Sequence, residues 1–142
     1  TGDDPGEMGN NLATVDLGTD YTATAISAGE SFVCALLSDG ALKCWGGSAN
    51  APIAGSASIV VGSDVEKMGD NLASIELGTN RQATLLAAGN RHMCVGLNTG
   101  EIKCWGSNRS AKLGIGGYIE REGYVEADMG CYLPPVDVGI CW

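Results

Sequence analysis

The sequence predicts an all-β fold of tandem repeats built from short antiparallel strands, and three observations carry that expectation. Between residues 2 and 46 nearly half the positions are identical to those 60 further on, with no gap. Each copy reads as apolar β runs joined by a glycine-ended turn. Glycine is frequent, at 22 of 142 residues, which suits many tight turns better than long helices.

The repeat opens at Met8-Gly9 and runs through Leu12 and Leu17 to Gly18; it returns as Met68-Gly69, Leu72, Leu77 and Gly78. The same offset carries Cys34 onto Cys94, Gly40 onto Gly100, and Lys43-Cys44-Trp45-Gly46 onto Lys103-Cys104-Trp105-Gly106. A third copy begins at Met129-Gly130 and runs to Gly139. The expected units are therefore repeat 1 over residues 1–60, repeat 2 over 61–116, and a tail over 117–142 that holds a truncated third repeat.

Within the first copy, 22–28, 32–37 and 41–45 are strand-like and Ser38-Asp39-Gly40 is a turn. A three-residue loop with glycine in its left-handed last position pairs Leu37 with Ala41, Leu36 with Leu42, and Ala35 with Lys43. Cys34 then falls opposite Cys44 in a non-hydrogen-bonded pair, whose closer side chains suit a cross-strand disulfide. The same register sets Cys94 opposite Cys104. Cys131 and Cys141 form a third pair at equal spacing, but Pro134-Pro135 forbids a regular hairpin between them, and a terminal clamp is expected instead. A zinc site is the alternative for these six cysteines. Their spacing and the presence of one histidine favour bridges, and with them an oxidising compartment.

Both hairpin faces are largely apolar: Phe32, Leu36 and Leu42 flank the cysteines on one side, with Val33, Ala35, Leu37, Ala41 and Trp45 on the other. A sheet of that kind wants covering on both faces, as the stacked blades of a propeller provide. Ala28-Gly29, Cys34-Ala35-Leu36, Asp39-Gly40 and Lys43-Cys44-Trp45-Gly46, with Ala88-Gly89, His92, Cys94, Gly100, Cys104-Trp105-Gly106, Asn108, Leu113-Gly114 and Gly116, resemble the regulator of chromosome condensation repeat family, in its cysteine-bearing branch. The resemblance implies propeller blades, about one per unit. Two blades cannot close a ring, so the expectation is an incomplete propeller: a piece of a longer one, an open clamp, or a structure completed by other chains.

Composition narrows the function. The formal charge is −9, from 17 acidic and 8 basic residues, which would repel a phosphate backbone or an anionic membrane. No stretch is long and apolar enough for a membrane span; the run 54–61 is too short. A chain that starts at Thr1 without a signal pattern is expected to begin at a processing site or a segment boundary. No nucleophile, base and orienting group form a recognisable set, and no phosphate loop, calcium loop or other cofactor or metal motif is present. His92 stands where Phe32 stands in its twin, which marks it as structural. Trp45, Trp105 and Trp142 each follow a cysteine and are read as core residues rather than sugar-stacking platforms.

The leading expectation is a non-catalytic scaffold or accessory subunit whose open blade faces, with the 54–61 and 118–125 segments, reach a protein partner. That partner could be a larger membrane complex, such as a photosynthetic one. The compartment is extracellular, periplasmic or an organelle lumen such as that of the thylakoid. An extracellular adhesion or carbohydrate-binding module ranks second, and a nucleotide exchange factor for a small GTPase third.

Overall fold

In the computed structural model, residues 3–47, 60–116, 120–123 and 126–139 are described. The fold is all-β, as two successive antiparallel sheets. The first contains β1 (Ala23–Ala28), β2 (Phe32–Leu37) and β3 (Leu42–Gly46) in that order; the second contains β4 (Ala83–Ala88), β5 (His92–Leu97), β6 (Ile102–Ser107) and the short β7 (Arg121–Glu122). Other regular structure among the described residues is limited to single 3-10 turns.

The hairpin register follows from the turn. Gly40 takes φ +82°, the left-handed conformation that only glycine adopts freely, and its N–H donates to Leu37 O while Leu37 N–H donates to Ala41 O, at 3.0 and 2.9 Å. Cys34 pairs with Cys44, Ala35 with Lys43 and Leu36 with Leu42. The second hairpin repeats this with Cys94 opposite Cys104. Both pairs are disulfide-bonded, with Cα atoms 4.1 Å apart.

Strand alternation sends Phe32, Cys34 and Leu36 to one face of the first sheet, and Met93, Val95 and Leu97 to the opposite-parity face of the second. These two faces share one buried cluster that also takes in Leu42, Cys44, Ala83 and Trp105. The main core therefore lies between the blades. At one end Ala83 N–H donates to Gly40 O (2.9 Å) and Gln82 Nε2 to Asp39 O (2.8 Å); at the other Glu30 N–H donates to Asn90 O (2.9 Å) and Arg91 pairs with Glu30.

The outer edge of each sheet is closed by chain that belongs to the next sequence copy. Val61 exchanges both backbone bonds with Gly46, and Ile75 N–H donates to Leu42 O at 2.7 Å. In the second sheet β7 pairs with β6, and Val136 N–H donates to Ile102 O at 2.8 Å. Of the two segments expected to reach a partner, Val61 and Arg121–Glu122 thus add to this chain's own sheets. The unpaired backbone groups of β3 and β6 explain it, since an edge left open is a template for any strand within reach. Residues 54–59, 118, 119, 124 and 125 lie outside the described residues, as do Cys141 and Trp142.

Candidate functional site

The feature that organises these edges is a lysine. Lys43 and Lys103 sit on otherwise apolar strand faces, 4% and 2% exposed. A buried ammonium is costly unless its protons find acceptors. Lys43 Nζ donates to Leu17 O and Gly69 O, both at 2.8 Å, with the Tyr21 ring centroid 5.0 Å away. Lys103 Nζ donates to Leu77 O (3.1 Å) and Gly130 O (2.6 Å). Each lysine joins the end of one Met-Gly motif to the start of the next. A charged residue recurring inside an apolar strand was the available sequence signal for this clasp.

Three copies of the motif can therefore be compared in place. Met68 and Met129 each lie with a tryptophan beside a glycine, Gly62 with Trp45 and Gly123 with Trp105. Leu72 and Leu133 are buried. The first copy adopts the same backbone: Met8 has φ −98° and Met68 φ −104°, Leu12 has φ −76° and Leu72 φ −78°. Leu12 N–H donates to Gly9 O and Leu72 N–H to Gly69 O, both at 3.2 Å; Asn11 Nδ2 donates to Gly6 O as Asn71 Nδ2 donates to Glu66 O. Yet Leu12 is 44% exposed against 4% for Leu72 and 1% for Leu133, Val15 is 55% exposed against 8% for Ile75, and Met8 is 59% exposed against 3% for Met129. The first copy is a formed edge that no described residue covers as β3 and β6 cover the other two. Residues 1–22 hold five acidic side chains, Asp3, Asp4, Glu7, Asp16 and Asp20, and no lysine or arginine.

The remaining sequence-named residues fall as follows. Gly18, Gly69, Gly78, Gly100 and Gly130 all take positive φ, and at Gly18 and Gly69 a Cβ would meet Asp70 and Asp16 carboxylate oxygens at 2.6 and 2.5 Å. Trp105 is fully buried, so it cannot stack on a sugar ring. The His92 ring lies against Gly89 as Phe32 lies against Gly29; burial, and secondarily the Lys112 charge, lower its pKa. Its Nδ1 is buried and has no hydrogen-bond partner. Cys131 is exposed, and its expected partner Cys141 lies outside the described residues. Cys131 fills the place that Asp70 holds in the second copy. Asp70 accepts from Thr19 N–H and Oγ1, each at 2.8 Å, and bonds from Thr79 N–H and its hydroxyl likewise hold the Cys131 thiol below its ordinary pKa, with Lys103 and Arg81 adding to the effect. Among the described residues no group of three His, Cys, Asp or Glu side chains could hold a metal ion, and no helix is long and apolar enough to cross a membrane.

Residues 23–50 and 83–111 match the model of the regulator of chromosome condensation (RCC1) repeat. No curated protein matches the chain in sequence. Solved structures are similar in fold, three of them as follows. Yeast RCC1 (Prp20), in a structure with Kap60 bound, aligns with a TM-score of 0.60 and 21% identity over 79% of this chain and 25% of its own. Prp20p from Saccharomyces cerevisiae gives 0.61 and 20% over 86% and 26%. Human WBSCR16 gives 0.59 and 18% over 82% and 27%. The chain thus spans about a quarter of the length of each of these structures, and the likeness is one of fold.

Proposed function

From a chain that carries two regulator of chromosome condensation repeats, at residues 23–50 and 83–111, and that leaves one repeat edge uncovered, we propose a non-catalytic protein-binding subunit of an oxidising compartment. It docks on a larger partner through the Met8–Gly18 edge. The observation that carries this reading is the difference between Leu12 and Leu72, alike in backbone and unlike in exposure. A preformed apolar edge binds at lower entropic cost than one that must order on contact. The disulfides within the two hairpins support a secreted or lumenal setting, the thylakoid lumen included. The proposed units remain 1–60, 61–116 and 117–142, each contributing to a blade closed by the unit that follows.

The test is hydrophobic-dye binding and thermal melting of the chain beside Leu12→Asp and Val15→Asp. Both residues are exposed, so the variants should melt within a few degrees of the parent and bind less dye. A parent chain that binds no dye at all would remove the open edge and the reading with it.

A further inference from the structure

We infer that Asn108 accepts an N-linked glycan only while the chain is unfolded, so that a glycan there and a folded second blade exclude each other. The consequence rests on the oxidising-compartment reading above and deepens it. That compartment is one reached without N-glycosylation, such as a bacterial periplasm, rather than one on the eukaryotic secretory route.

The triplet Asn-x-Ser/Thr occurs once in the sequence, as Asn108-Arg109-Ser110, and ordinarily marks a surface loop of a secreted protein. The structure places its asparagine elsewhere. Asn108 is 5% exposed, although Arg109 and Ser110 beside it face water. Its Oδ1 accepts from Leu113 N–H at 3.1 Å, its carbonyl accepts from Ala111 N–H at 2.9 Å, and its own N–H donates to Glu120 O at 2.7 Å. These bonds hold a tight turn in which Ser110 and Ala111 take φ +70° and +54°, and the turn leads into the buried Leu113.

In glycan transfer the asparagine Nδ2 loses a proton and bonds to the anomeric carbon of a lipid-diphosphate oligosaccharide, whose diphosphate leaves. The amide then carries a sugar larger than the side chain itself. Seating that sugar turns Asn108 out of the fold and leaves the Leu113 N–H unpaired in a buried place, a loss that folded chains avoid. The turn between β6 and β7 opens with it. A chain that crosses an oligosaccharide-transferring membrane unfolded meets the transferase with Asn108 accessible, and once it is modified the second blade does not close.

The experiment expresses the full chain behind a cleavable secretory leader in a eukaryotic host and, as reference, in a bacterial periplasm. Gel mobility with and without a peptide N-glycosidase, protease resistance and thermal melting are read on each. The eukaryotic product should carry a glycan, and its glycosylated fraction should be protease-sensitive and melt without a cooperative transition. Ser110→Gly removes the acceptor triplet and suits the left-handed backbone at that position; it should restore protease resistance, with melting within a few degrees of the periplasmic chain. Adding Asp20→Asn makes an acceptor triplet with Thr22 at an exposed site, where Asp20 takes φ +65° and its twin Asn80 φ +57°. That double variant should carry a glycan and fold. The inference is overturned by a glycosylated parent that melts as the periplasmic chain does, by a parent that leaves the eukaryotic host unmodified, or by a double variant as protease-sensitive as the glycosylated parent. Free thiols at the hairpin cysteines of the periplasmic chain would remove the oxidising-compartment reading, and the exclusion at Asn108 would still stand or fall on the comparison of glycosylated and unglycosylated chains.

Discussion

Leu12 and Leu72 occupy one turn in one conformation, and one of them faces water. Their comparison separates two things that are usually seen together. The turn itself is local: a left-handed glycine at Gly9 or Gly69, a carbonyl that closes on the residue three further along, and an asparagine side chain that ties back to the preceding loop. Burial is not local. It arrives with an edge strand, which β3 provides for the second copy and no described residue provides for the first. The same contrast reaches one end of the leading faces of the two sheets, where Met93 and Trp105 are buried and Val33 and Trp45 are only half covered, while Ala35 and Leu37 are as buried as Val95 and Leu97.

Truncating the two tryptophans should break this symmetry most visibly. Trp105→Ala removes a fully buried indole from the inter-blade cluster and should cost about 3–5 kcal/mol, while Trp45→Ala, at a half-covered position, should cost about 1–3 kcal/mol. Urea denaturation with coincident fluorescence and circular dichroism transitions measures both. Equal costs would mean that the leading face of the first sheet is covered in solution as the second is.

The lysine clasps sharpen the comparison at a smaller scale. Lys103→Met leaves Leu77 O and Gly130 O without their donor, at about 1–3 kcal/mol for each buried acceptor left unpaired. Lys43→Met releases Gly69 O in the same way, but Leu17 is half exposed and water can reach its carbonyl. The first substitution should therefore destabilise more than the second, read as the difference in urea midpoint at constant slope.

Much of this architecture was legible in the sequence because its determinants are short-range. The Asp39-Gly40 turn fixes the register of β2 on β3, alternation fixes the two faces, and the 60-residue period carries both to the second sheet. The offset between sequence copy and structural blade was not legible. Ile75 reaches Leu42 across 33 residues, and nothing in either segment alone announces the pairing. The open edge was hidden for the same reason, since Met8, Leu12 and Val15 have apolar counterparts that are buried. Lys43 and Lys103 were the readable trace: a charge kept in both copies inside an apolar strand needs acceptors, and the carbonyls of the Met-Gly motif supply them.

The smallest expected effect concerns pH and again divides the two blades. Glu101 sits just after the second hairpin turn and accepts from Arg81 Nε at 2.8 Å and from Thr99 Oγ1 at 2.7 Å. The Arg81 bond first, and the Thr99 bond second, lower its pKa from the ordinary 4.5 to about 2. The corresponding residues of the first copy are Ala41 and Tyr21, which cannot form the pair. A carboxyl with a depressed folded-state pKa stabilises the fold above its unfolded value and loses that contribution as pH falls; here the window runs from about 4.5 down to about 2. Glu101→Gln should flatten the pH dependence of the melting temperature in that window and change little at neutral pH, because both side chains of the ion pair are about a third exposed and such pairs contribute little in water. Other carboxylates with lowered pKa, Glu30 and Asp70 among them, titrate in the parent and the variant alike, so the difference between the two curves isolates Glu101. Parallel curves from pH 5 to pH 2 would show that Arg81 and Glu101 do not hold each other in solution. The second hairpin would then differ from the first in sequence alone.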